Sequence, residues 1–311
     1  MNEPLSDSPL GLVRHEDVIQ PFMLHNSIMR GRMVRMDNAL NSILARHEYP
    51  EHASKLLGEL LMLAGMLSVN LPENGILTLQ VKGDGIVPFM VADAQANGNI
   101  RGYASITKEA MLQFKNETSQ YSRMTDILGK GYLAMTLDAP SGEPYQGIVP
   151  LEGESLSDAL THYFTQSQQL DVMFHIHVSR RIREDRSARW VCGGIMLERM
   201  PEISHKETQQ PTVSNTHSDW DYHALLVKTA TEEELSDPHL APSALLYRLF
   251  NETGVWVYDT QPLQDVCRCS RQKIQATLDG IAESELRDMA DDGVISVTCQ
   301  FCSREEHFTV Q

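Results

Sequence analysis

The sequence predicts a mixed α+β protein in three parts: an α+β core domain, a helical linker region and a small cysteine-bearing C-terminal module. Three observations carry this expectation. Short strand-like and helix-like runs alternate from about residue 17 to residue 200. The composition turns polar after Pro201. Four of the five cysteines crowd into the last fifty residues. With 311 residues, 41% hydrophobic and 22% charged, the chain can bury a substantial core.

The elements follow in order. Residues 1–16 read as a flexible N-terminal extension. Strands are expected at Pro21–Asn26 and Arg30–Arg35, and Asp37 reads as the N-cap of a helix that presents Leu40, Ile43 and Leu44 on one face. Pro50 suits the first turn of a second helix running to about Val69, whose near-continuous apolar character marks a central core position. Strands then recur at Gly75–Val81, Val87–Asp93 and Ile100–Thr107, punctuated by the turn signals Gly83-Asp84-Gly85 and Asn97-Gly98-Asn99. A second unit places strands at Tyr132–Leu137 and Tyr145–Pro150, a helix capped by Ser155, and strands at Val172–Val178 and Trp190–Leu197. The core is expected to span 17–200.

From 201 to 261 a polar stretch leads into two amphipathic helices, Tyr222–Thr231 and Pro242–Asn251. Helices this short depend on docking for stability, so the region reads as a metastable layer. The remaining residues, 262–311, form the cysteine module. Its expected parts are a helix around Ile274, Leu278 and Ile281, a further turn at Glu285–Met289, and a strand at Val294–Thr298.

Charge excludes several classes of function. Twenty-six basic residues face 42 acidic ones, a formal net charge of -16. Such a surface repels phosphate backbones and anionic lipid, which argues against nucleic acid or membrane as the main partner. Between Leu263 and Gln311 five basic residues meet nine acidic ones, so a nucleic-acid zinc ribbon is disfavoured too. The N-terminus lacks the pattern of a signal peptide, and the apolar stretch from Leu56 to Val69 is broken by Gly58, Glu59 and Gly65. A cytoplasmic protein is expected, where thiols stay reduced and clustered cysteines point to a metal or a redox role.

Cys267 and Cys269 form a C-x-C arm and Cys299 and Cys302 a C-x-x-C arm, with 29 residues between Cys269 and Cys299. Four thiolates suit one tetrahedral Zn²⁺ at about 2.3 Å per bond. A shell of four sulfurs leaves no open position for water or substrate, so the expected role is structural. Iron would use the same ligands, although C-x-C is a less usual arm for it. A thioredoxin-type C-x-x-C should open a helix, whereas Cys299 follows a strand. The two cysteines of either arm are also close enough in sequence to form a local disulfide if their Cα atoms approach within about 7 Å. The sulfurs therefore have two stable fates, metal-bound and reduced or oxidised with the metal lost. Because metal binding is folding free energy in small modules, oxidation is expected to unfold this one.

Other residues read as structural. Cys192 reads as a small buried hydrophobe beside Gly193 and Gly194. His47, His52, His175 and His177 lack a carboxylate at ligand spacing, and His307 is redundant as a ligand beside four cysteines. Gly83-Asp84-Gly85 has no phosphate-loop context. No catalytic signature is present, and the chain does not read as an enzyme.

Several landmarks together give a resemblance to the heat-shock protein 33 family of redox-regulated holdase chaperones. They are Arg30-Gly31-Arg32, the stretch Ala45–Pro50, Gly83-Asp84-Gly85, Gly131-Tyr132, Tyr145-Gln146-Gly147 and Leu151-Glu152-Gly153-Glu154. Gly193-Gly194 ahead of Met200-Pro201, Leu245–Phe250 ahead of Val257-Tyr258-Asp259, and the cysteine arms complete the set, in order, over about residues 17 to 308. The resemblance implies a chaperone that is inactive while reduced and zinc-bound. It implies disulfides Cys267–Cys269 and Cys299–Cys302 on oxidation, zinc release, linker unfolding, and ATP-independent capture of unfolding client proteins, usually as a homodimer. Nine residues follow Cys302 where relatives often continue into another short helix, so a less tightly packed module is expected. The alternative from another class is a constitutive zinc-stabilised adaptor for one folded partner.

Overall fold

A computed structural model describes residues 14–25, 28–107, 111, 123–140, 142–182, 186–200 and 216–309. Most of the expected N-terminal extension and the polar start of the linker, 201–215, lie outside the described residues.

Two six-stranded sheets enclose one helix. Strands β1 (Val18–Leu24), β2 (Met29–Met36), β8 (Val172–Ile182) and β9 (Ala188–Arg199) build the first sheet in the order β10-β1-β2-β9-β8, with β11 also on β1. Its last members are β10 (Val255–Val257) and β11 (Gln261–Pro262). The second sheet runs β12-β5-β4-β3-β6-β7, from β3 (Ile76–Gly83), β4 (Phe89–Gln95), β5 (Asn99–Ser105), β6 (Gly131–Asp138), β7 (Tyr145–Pro150) and β12 (Gln264–Asp265). Between them lies α2 (Glu51–Ser68), in which Leu57, Leu60, Leu61, Met62, Leu63 and Met66 are all fully buried. A helix apolar on every side is stable only when covered on every side, and the two sheets do this.

The first sheet is covered on its other face as well. Helices α5 (Thr216–Lys228), α6 (Glu232–Ser236) and α7 (Pro242–Leu249) lay Val227, Leu235, Leu245 and Leu246 against Phe22, Met33, Ile195 and Leu197. This double burial explains why β2 carries almost no alternation. The segment 201–261 is therefore more than helical, because β10 and β11 also join the core sheet.

One cap differs from expectation. The Asp37 side chain makes no capping hydrogen bond to helix α1 (Asn38–Leu44). The Asp17 carboxylate instead accepts the backbone N–H groups of Asp37, Asn38 and Ala39 at 2.9, 3.1 and 3.0 Å. Asp37 is turned toward Arg189, 2.5 Å away. By contrast Ser155 caps α4 (Leu156–Ser167) as expected, in a reciprocal box with Asp158. Short α3 (Met124–Leu128) completes the core, and Asp84 of the Gly83–Gly85 turn accepts the Lys130 N–H just beyond it at 2.6 Å.

The C-terminal module consists of α8 (Arg271–Leu278), α9 (Glu283–Met289) and the hairpin β13 (Val294–Thr298) and β14 (Glu305–Thr309). Among the described residues Leu278, Ile295 and Phe308 are its buried apolar side chains. Three such side chains are too few to hold a fold of this size without a staple.

Candidate metal centre

Each cysteine arm is placed by local backbone structure. Strand β12 pairs in parallel with β5, and the Val266 N–H continues the ladder to Ile100 at 3.1 Å. That delivers Cys267 and Cys269 at the edge of the second sheet, immediately before Ser270, which caps α8 by accepting the Lys273 N–H. The other arm is the turn of the β13–β14 hairpin. Cys299 donates its N–H to Arg304 at 2.9 Å and accepts that of Ser303 at 2.8 Å, with Ser303 at φ 57°.

The four Sγ atoms converge within 4.8 Å of one another. Cys267 to Cys299 is 3.7 Å and Cys269 to Cys302 is 3.3 Å. A tetrahedron with arms of about 2.3 Å has edges of about 3.8 Å, so the sulfurs fit a single tetrahedral ion. Burial raises the Cys267 thiol, but the Cys269 N–H and the Arg101 guanidinium outweigh it and bring Cys267 to about 7. Burial and bonding to Cys302 push Cys269 up, and burial pushes Cys302 up. A lowered thiol thus lies beside two raised ones, and a cation held there would take all four as thiolates.

The C-x-x-C turn is gripped by the core. Arg46 donates to the Phe301 carbonyl at 2.7 Å and also pairs with Asp265, while His47 bonds the Gln300 carbonyl at 2.8 Å. Arg101 lies 3.9 Å over the Phe301 ring, 3.6 Å from Cys267 Sγ, and 2.6 Å from Asp93. Arg268, between the cysteines of the first arm, reaches the same Asp93 carboxylate at 2.5 Å. Asp93 is almost fully buried and also accepts from Thr78 at 2.7 Å. A carboxylate of the core therefore holds one arm, while Arg46, His47 and Arg101 hold the other.

Sequence reasoning named the four cysteines and missed Asp93, Arg101, Arg268 and Phe301. The available signal was partial: Arg46 and His47 fall in the Ala45–Pro50 landmark, and Arg268 and Phe301 lie inside the cysteine arms. His307 is not among the gathered ligands; its Nδ1 faces Ser296 Oγ at 2.9 Å. Cys192 is buried with its thiol 3.6 Å from the Met36 carbonyl and its pKa raised by burial, far from a reactive state. His52, His175 and His177 line one cavity of about 510 Å³ with Lys55 and Glu59, and His175 is bonded to the Ala230 carbonyl at 2.9 Å.

A sheet-and-helix core, a docked helical layer and a small module whose four gathered thiols could hold a metal ion define the class of protein. A family model described as Hsp33 protein matches residues 17–309, and the chain belongs to that family. The 33 kDa chaperonin of Caulobacter vibrioides is 36% identical over 292 residues, covering 93% of each chain. That of Pseudomonas paraeruginosa is 31% identical over 296 residues, covering 94% of this chain and 92% of its own. The crystal structure of the heat-shock protein 33 homologue of Thermotoga maritima shares the fold at a TM-score of 0.74, with 22% identity over 94% of this chain and 95% of that one. The protein is a chaperone of this family, and its partners are client proteins. Among the described residues no helix is long and apolar enough to cross a membrane.

Proposed function

We propose that this protein is a redox-regulated, ATP-independent holdase of the cytoplasm, silent while its four cysteines hold Zn²⁺ and active once they are oxidised. Four thiols within 4.8 Å of one another, on arms short enough to close locally, carry the reading. Zn²⁺ bound there would supply the fold of residues 262–311 that three buried side chains cannot supply alone. The proposed disulfides are Cys267–Cys269 and Cys299–Cys302. Each forms as two thiols lose two electrons and two protons: an oxidant such as hypochlorous acid takes both electrons and one proton to become chloride and water, and the other proton passes to solvent. The linker, 201–261, would then loosen from the core, 17–200, and uncover apolar surface for unfolding clients, with a homodimer as the active form. The short helices α5, α6 and α7 and the apolar face beneath them support that step.

The test pairs two readouts on one sample. Oxidant is added to the reduced protein, metal release is followed with a chromogenic chelator, and suppression of a denatured client's aggregation is then measured. Loss of about one zinc per chain together with a gain of holdase activity is expected. Retained zinc with no gain would instead favour a constitutive zinc-stabilised adaptor, and activity unchanged by oxidation would sink the switch.

A further inference from the structure

A cavity of about 180 Å³, lined by none of the four gathered cysteines, lies where the core, the end of α6 and the first described residues meet. Four arginines line it: Arg14, Arg35 of β2, Arg181 of β8 and Arg189 of β9. The chain as a whole carries a net charge of -16, so this concentration of guanidinium is a local reversal of sign.

The partners of these arginines leave charge uncompensated. Arg14 pairs with Glu16, and Arg189 pairs with Asp37 at 2.5 Å. Arg35, 2% exposed, spends its donors on neutral carbonyls: Leu235 at 2.7 Å, Glu234 at 2.8 Å, and Leu240. Three of its five N–H groups are then used and two remain. Arg181 donates to Ser236 Oγ at 2.7 Å. Among the described residues neither Arg35 nor Arg181 has a carboxylate at ion-pair distance; Asp237 is the acid whose field reaches Arg35. Arg189 adds a buried Nε with no hydrogen-bond partner there. The imidazole of His15, also lining the cavity, is held below its usual pKa first by burial and then by the charge of Arg35.

Planar guanidinium forks match tetrahedral oxyanions through paired N–H donors. The cavity holds several times the roughly 30 Å³ of one water, room for a phosphate group and not for a dinucleotide. We propose that this cavity binds a phosphate-type oxyanion, as free phosphate or as the head of a phosphomonoester, between the core arginines and the end of α6. The bound anion ties the helical layer to the core, because Arg35 and Arg181 already hold the last carbonyls of α6. A ligand that recognises only the docked layer shifts the docked-to-undocked ratio about 11-fold at ten times its dissociation constant. The inference does not depend on the redox reading.

The experiment titrates the reduced, metal-loaded full chain with sodium phosphate or glycerol phosphate at constant ionic strength, with chloride as control. Calorimetry reads binding, and amide exchange reads residues 232–240. Saturable binding with slowed exchange at α6 is expected, weakened at least tenfold by R189Q and unchanged by R287Q on α9. Binding of phosphate alone identifies the free ion as ligand, and binding of both identifies the phosphomonoester head. Should R189Q fail to fold, R14Q at the exposed rim gives the same reading with a smaller loss. Absence of saturable binding by either ligand, or binding left intact by both R189Q and R14Q, overturns the proposal.

Discussion

Truncating Phe301 to alanine leaves the four cysteines untouched and removes the ring by which the Cys299–Cys302 turn rests on the core. The ring lies 3.9 Å beneath the Arg101 guanidinium and 6.4 Å from the Tyr103 ring. A half-buried cation–π contact contributes about 0.5–1 kcal/mol and an aromatic pair about 0.5–1.5 kcal/mol. The loss is therefore about 1–2.5 kcal/mol of docking, since the Phe301 carbonyl keeps its bond to Arg46. That corresponds to a docked-to-undocked ratio lowered roughly 5- to 70-fold. Amide exchange over residues 264–266 should accelerate by this factor. Metal transfer to a competing chelator should also quicken, because the undocked module exposes its sulfurs. Melting of the core should stay close to that of the parent, as Phe301 belongs to neither large buried cluster. Unchanged exchange and unchanged metal transfer in F301A would show that the core does not hold the turn, and the latch would have to be abandoned.

Three further outcomes are expected. Burial raises the Asp93 carboxyl, but hydrogen bonds from Thr78 and Arg268 and the charge of Arg101 outweigh it and hold the group below its usual range. Its contribution is thus complete above the unfolded value of about 3.9 and disappears as pH falls through the lower folded value. D93N should be less stable than the parent at neutral pH, with the two converging in acid; parallel thermal melts across that range check this. G193A should loosen α6 by about 1–3 kcal/mol, since a Cβ there would overlap the Leu235 carbonyl oxygen, and dye binding to exposed apolar surface should rise while zinc content holds. D17A removes the acceptor for three N–H groups at the start of α1 and should cost about 1–2 kcal/mol in a denaturant titration.

How far the sequence reached depended on the length of each signal. Helix α2 and the long strands of both sheets were legible because period and apolar content persist over seven residues or more. The five-residue helices α3 and α6 and the two- and three-residue strands β10, β11 and β12 have no period to read, and tertiary pairing alone fixes them. Asp37 misled for a related reason. Its type and position suit a cap, but Asp17 lies twenty residues earlier and is brought to the helix start only by the β1–β2 pairing. The gathering of the four cysteines was legible because ligand chemistry dictates both residue type and spacing. Asp93 and Arg101 were not, because an ion pair on adjacent strands has no signature until the sheet register places the two opposite each other.

These short, illegible strands bear on the proposed switch. From α7 the chain passes through β10 and β11 on the edge of the first sheet, crosses at Leu263, and pairs as β12 with the edge of the second before reaching Cys267. The helical layer and the thiol centre are consecutive parts of one strip attached to the core by three very short ladders. Leu263 is the buried pin of that strip, packed beside Gly65 of α2 and Ile100 of β5. If the module 262–311 loses its fold, β12 loses its support from Arg46 and Arg268, and β11 and β10 are next along the chain. Peeling of this kind needs no signal carried through the interior, only contiguous short pairings of low individual stability. It also predicts an order. A substitution that weakens the Leu263 pin, L263A, should let the layer exchange faster even with the metal bound, whereas the interior of α2 should exchange as before. Equal acceleration in α2 and in residues 255–262 would mean that L263A opens the whole core and that the strip is not a separate unit.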